Sequence, residues 1–148
     1  MHQIRIVLLF VLSLTLLGTT AFSKDTYPSK EEVAKMAKEA TSLMKNDNYE
    51  KSLIKSRIAL NFAIALKDDN LIATCYNTIA ANFDELAEFE KAFFYYQKGL
   101  LYANRTNNYQ LKNWLNNNLG NIYCFDKKEY NKGISYYKKS LAYSTKMK

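Results

Sequence analysis

One proline and four glycines in 148 residues are too few for the turns of an all-β sandwich, so helices become the expectation. Histidine is scarcer still. The single one, His2, lies in a segment read below as an export signal, which excludes Ser-His and Cys-His catalysis and histidine-held metals. The chain also lacks a phosphate-cradling glycine loop and a nucleophile elbow. Its acidic run Asp84, Glu85, Glu88 and Glu90 has no glycine-containing oxygen-ligand loop beside it and reads as a solvated turn. No catalytic residues, metal or cofactor are expected, and the chain is read as a non-enzyme. What it does have is 48% apolar and 14% aromatic residues, too much for a disordered chain and enough for one compact domain or a short repeat array.

There is one long apolar run. After the weakly basic start Met1 to Arg5, residues Ile6 to Leu17 are interrupted only by Ser13 and Thr15, and Gly18-Thr19-Thr20-Ala21-Phe22-Ser23 supplies small residues. This order predicts an export signal over residues 1–23, cleaved after Ser23 or kept as an N-terminal anchor. The twelve-residue apolar core falls short of the ~20 residues of a spanning helix. The expected product, residues 24–148, is exported: periplasmic or otherwise extracytoplasmic, and near a membrane if the anchor stays.

Charge is unevenly spread. Lys24 to Asn104 holds 11 basic and 12 acidic residues, whereas Arg105 to Lys148 holds 9 and 2. The lysines of the last third lack the aromatic-basic pattern of an RNA-binding sheet, and an exported chain rarely meets nucleic acid, so no nucleic-acid partner is expected. A solvated basic helix face is the reading, with a membrane surface or an acidic partner as the alternatives. Cys75 and Cys124 would invite a disulfide in an oxidising compartment. The repeat register below makes Leu115 the equivalent of Cys75 and sets Cys124 nine residues farther along. Nine residues of helix rise about 13 Å, against a limit of ~7 Å between bridged Cα atoms. Both are expected as buried or half-buried thiols.

The chain repeats. Asn48-Tyr49-Glu50-Lys51-Ser52, Glu88-Phe89-Glu90-Lys91-Ala92 and Glu129-Tyr130-Asn131-Lys132-Gly133 place their aromatics 40 and 41 residues apart. Ala59-Leu60, Gly99-Leu100 and Ser140-Leu141 preserve the spacing. Upstream, Tyr76, Ile79, Ala80 and Phe83 correspond to Asn116, Leu119, Gly120 and Tyr123, and to Met36, Glu39, Ala40 and Leu43. Three helix-turn-helix units result, over about residues 30–67, 71–106 and 111–146. Turns are expected at Lys45 to Asn48, Lys67 to Asn70, Arg105 to Asn108 and Asp126 to Glu129, the last holding one inserted residue.

These residues resemble the tetratricopeptide repeat (TPR) family. Tyr76, Ile79-Ala80, Phe83, Ala92 and Tyr96 carry the pattern in the second unit, and Leu119-Gly120, Tyr123, Gly133 and Tyr137 in the third. The first unit departs, with Glu39 at an apolar position and Ser56 at an aromatic one. The resemblance implies an all-α solenoid of about three TPR-like repeats after the signal peptide, with a concave surface lined by each unit's first helix. It implies groove positions at Thr74, Asn77, Ala81, Asp84 and Glu85, and at Trp114, Asn117, Asn118, Asn121, Cys124 and Phe125. Ala37 and Thr41 take the groove of the first unit, so the lysine and asparagine clamp of chaperone-binding members is not reproduced.

Groove asparagines can bond a peptide main chain, and Trp114 and Phe125 could anchor a ligand. A protein or peptide partner is the expectation. The favoured role is the exported sensory part of a signal-transduction protein, as in bacterial sensor kinases that carry such repeats. The alternatives are a stand-alone exported adaptor and, distantly, an enzyme of unrecognised type. The last helix, with Ile134, Tyr136, Tyr137, Leu141 and Tyr143, leaves an apolar edge that invites self-association.

Overall fold

The computed structural model describes residues 27–147; the expected export signal at 1–23 lies outside the described residues. Those residues form six α-helices in three consecutive hairpins. The first pairs α1 (Lys30–Lys45) with α2 (Tyr49–Ala65), and the second pairs α3 (Asp69–Glu85) with α4 (Phe89–Ala103). The third pairs α5 (Tyr109–Asn121), prolonged by a π-helical stretch Ile122–Asp126, with α6 (Tyr130–Thr145). Each hairpin packs its first helix against both helices of the hairpin before it. This is the all-α solenoid expected from the repeats.

First and second helices begin differently. Each first helix has a side-chain cap: Ser29 and Glu32 form a reciprocal capping box on α1, while Asp68 and Asn108 accept from the backbone N–H of Leu71 and Leu111. Second helices follow tight turns instead and have no such cap. Asp47, Ala87 and Lys128 sit in the left-handed region inside the hairpins, as Lys67 does between the first two. At three of these turns the following N–H bonds back across the turn, Asn48 to Leu43 O, Asp68 to Ala63 O and Glu88 to Phe83 O. None of these left-handed positions is a glycine, although an L side chain costs about 1 kcal/mol there.

The described glycines serve helix contact instead. A Cβ on Gly120 would lie 2.6 Å from the Tyr137 ring, and one on Gly133 would lie 2.1 Å from Cys124 Sγ and 3.0 Å from Gly120 O. Ala80 and Ala92 hold equivalent positions in the second hairpin, both fully buried. Around them Phe83 and Tyr96 are buried, and rings stack along the seam, Phe83 on Tyr95 at 5.5 Å and Tyr123 on Tyr136 at 5.3 Å.

The inserted residue is placed differently from expectation. In the third hairpin Glu129 N–H bonds Tyr123 O, one residue farther back than Glu88 bonds in the second. The left-handed residue still stands two residues before the second helix, as in the other hairpins. The extra residue is therefore wound into the π-helical stretch, which enlarges the last turn of the first helix and leaves the loop unchanged. It also turns Cys124 inward against Gly133 and Phe125 out to solvent.

The departures in the first hairpin compensate one another. Ser52 and Ser56, where the second hairpin has Ala92 and Tyr96, are both fully buried. Ser56 Oγ donates to Ser52 O at 2.6 Å and Ser52 Oγ donates to Ala40 O at 2.8 Å. Asn82 reaches in from α3 and donates through Nδ2 to Ser52 Oγ at 2.8 Å. Glu39 pairs with Lys55 at 2.5 Å.

Candidate protein-binding groove

The three first helices line one face of the stack, tied to one another by polar contacts. The hydroxyls of Thr41 and Thr78 lie 2.9 Å apart between α1 and α3. Asn108 Nδ2 donates to Asn70 Oδ1 at 2.8 Å where α5 meets α3. Between α1 and α3 this face opens into a groove of about 390 Å³ lined by Ala34, Ala37, Lys38, Thr41, Ser42, Lys45, Leu71 and Thr74. Small side chains leave the space and make its lining mostly apolar, the hydroxyls of Thr41 and Thr74 being bonded to Ala37 O and Asn70 O, and the exposed Lys38 and Lys45 border it. Such a trough suits an extended segment or a helix better than a small enclosed ligand.

Farther along, Asn77 is half-buried, with its Oδ1 covered and without a hydrogen-bond partner among the described residues. Asp84 is half-buried and accepts from Tyr96 Oη at 3.1 Å. Burial raises its carboxyl above the ordinary range; the Tyr96 hydroxyl lowers it in part, and the nearby Asp126 and Glu85 raise it further. Glu85 is exposed at the end of α3.

In the third hairpin Trp114, Asn117 and Phe125 are exposed and Asn118 is half-buried. Asn121 is half-buried and accepts from Tyr137 Oη at 2.8 Å. Cys124, placed on the groove by the resemblance, is instead buried against Gly133 because the π-helical stretch rotates it inward. The eleven groove positions expected in the second and third units thus lie on α3, α5 and the π-helical stretch; of these only Thr74 lines the open groove between α1 and α3, with Ala37 and Thr41 of the first unit. Ala34, Lys38, Ser42, Lys45 and Leu71 are its residues that sequence reasoning missed. Ala34 and Lys45 match the groove positions Thr74 and Glu85 in the repeat register, which was the available signal for them, whereas Lys38 and Ser42 match the buried Thr78 and Asn82.

Both cysteines are free and buried, as expected, and burial pushes the Cys75 thiol up to about 12. Among the described residues no group of three His, Cys, Asp or Glu is placed to hold a metal ion, and no helix is long and apolar enough to cross a membrane.

No protein-family model matches the chain. The uncharacterized protein ycf37 of Guillardia theta is 39% identical over 54 residues, 36% of this chain. The chain spans less than a third of that relative, 30% of its length. The crystal structure of the TPR domain of Arabidopsis FLU superposes with a TM-score of 0.64 at 19% identity, over 78% of this chain and 96% of that domain. The three stacked hairpins and this likeness together give the chain the fold of a tetratricopeptide repeat domain.

Proposed function

We propose that the repeat stack is a non-catalytic scaffold that holds a segment of a protein partner along the face lined by its first helices. The observation that carries this is the groove between α1 and α3, where Ala34, Ala37, Thr41, Ser42 and Thr74 leave an open, mostly apolar floor beside Lys38 and Lys45. A helical stack orders these residues before any partner arrives, so little entropy is lost on binding. The likeness to a TPR domain supports an interaction scaffold in general. The apolar leader at residues 1–23 supports an extracytoplasmic location, and an export signal followed by such repeats, the order that bacterial sensor kinases resemble, supports a sensory role in a signal-transduction protein.

Peptides selected from a displayed library against the full chain test the groove. Ser42→Trp combined with Lys38→Glu fills and recharges it at two exposed positions, and should weaken the selected peptides at least tenfold while leaving the circular dichroism spectrum unchanged. Equal binding to the filled variant would overturn the groove reading.

A further inference from the structure

The two ends of the stack differ chemically, and one of them matches the surface that receives a helix inside the chain. Ala34, Ala37 and Thr41 on α1 lie where α3 docks, sharing a groove with Leu71 and Thr74. Their equivalents on α5 are Trp114, Asn117 and Asn121. On the second helices Leu60 is buried and Leu100 half-buried, while Leu141 is 65% exposed. Leu53 and Phe93 are half-buried, while Ile134 is 47% exposed and Trp114 53%. The third hairpin therefore presents, in register, the surface onto which α3 and α5 dock earlier in the stack.

The docking faces already in the chain define what fits. On α3 they are Leu71, Cys75, Thr78 and Asn82; on α5, Leu111, Leu115, Asn118 and Ile122. All are buried except the half-buried Asn118. The corresponding face of α1 carries Glu31, Lys35, Lys38 and Ser42, every one exposed. Burying those charges against Leu141 and Ile134 is strongly unfavourable, so a second copy cannot extend the stack head to tail. Charge also disfavours two copies meeting through this edge. Residues 109–147 hold seven lysines against Asp126 and Glu129. Lys138, beside Ile134 and Leu141 on α6, makes no ion pair among the described residues. At the first junction acid on the docking helix meets base, Lys30 with Asp68 at 2.6 Å; at the second the signs are reversed, with Arg105 just before α5 lying 3.8 Å from Asp69 on α3.

We propose that the edge formed by Trp114, Asn117, Ile134, Tyr137 and Leu141 docks an acidic amphipathic helix of another protein, with apolar or small residues at i, i+4, i+7 and i+11. This binding surface is separate from the α1/α3 groove, so either can fail alone. The probe is a fluorescein-labelled peptide copying residues 68–85 with Cys75→Ala, held helical by a side-chain link on its opposite face. Its source segment has the required face, four acidic residues and no lysine or arginine.

With the full chain, the peptide should bind saturably and shift the emission of Trp114, the single tryptophan. Leu141→Lys should weaken it by roughly tenfold or more with unchanged circular dichroism. Lys138→Glu should weaken it less and remove most of its salt dependence. Ser42→Trp in the groove should leave it unchanged. The proposal is overturned if the peptide does not bind, if Leu141→Lys has no effect, or if the full chain sediments as a dimer that Leu141→Lys dissociates, since the occupant is then a second copy.

Discussion

The first and third hairpins fill the same wedge between two helices in opposite ways. In the third, Gly120 and Gly133 remove every obstructing side chain and Tyr137 lies across Gly120, so the hairpin completes itself. In the first, Ser52 and Ser56 leave no aromatic to fill the space, and Asn82 enters from the second hairpin to bond Ser52. At the next junction the corresponding residues are Ala92 and Ile122, an apolar pair. One repeat plan thus accepts either closure, provided the change in one hairpin is matched by a change in the next. A hydroxyl placed where the pattern asks for alanine is met twice, by Ala40 O, to which it donates, and by an amide thirty residues later, from which it accepts.

Breaking the self-completed hairpin should give the largest effect. Gly133→Ala drives a methyl into Cys124 Sγ and against Gly120 O, and should destabilise by about 2–3 kcal/mol despite the better helix propensity of alanine. Chemical denaturation would measure this, and adding Cys124→Ala should recover part of the loss. Full tolerance of Gly133→Ala would mean that Cys124 is not held inward by the π-helical stretch.

A smaller effect sharpens where the extra residue of the third hairpin sits. Lys128 and Ala87 share the left-handed conformation, so Lys128→Gly and Ala87→Gly should each raise stability by about 0.5–1 kcal/mol. A gain at Ala87 with a loss at Lys128 would place the irregularity in the loop after all.

The smallest effect concerns what the wedge tyrosine bonds: Asp84 in the second hairpin, Asn121 in the third. Burial raises the Asp84 carboxyl in the folded state, so the folded chain holds that proton more tightly than the unfolded chain. The stability it contributes is full below the ordinary aspartate value and declines as pH rises through the raised one. Asp84→Asn keeps an acceptor for Tyr96 and should flatten this decline; denaturation midpoints across acidic to neutral pH would reveal an unchanged slope if the account were wrong.

Much of this architecture was legible in the sequence because the helix pairs repeat at 40 and 41 residues. The aromatic and small positions, from Phe83 and Tyr96 to Gly120 and Gly133, read as the interior they form. The inserted residue was visible as a length but not as a place, since a π-helical turn and a longer loop have the same count. Glu39 and Ser56 read as defects because their partners, Lys55 and the Ser52–Asn82 pair, are distant in sequence or belong to another unit. The groove was harder still. A residue such as Lys45 becomes part of a binding face only through its neighbours on α3, and exposure at Trp114 reflects the end of the stack as much as the groove.

The central claim is that the first hairpin is completed by a side chain of the second, and a double-mutant cycle on Ser52 and Asn82 tests it most directly. Ser52→Ala and Asn82→Ile should each destabilise by about 1–3 kcal/mol, because each removes the bond between them, the first leaving Asn82 Nδ2 only Thr78 O and the second leaving Ser52 Oγ only Ala40 O. Together they recreate the Ala92 and Ile122 pair of the next junction, so the double variant should recover about 1–2 kcal/mol relative to the sum. Losses that simply add, within about 0.5 kcal/mol, would contradict the account and leave the first hairpin an independent unit.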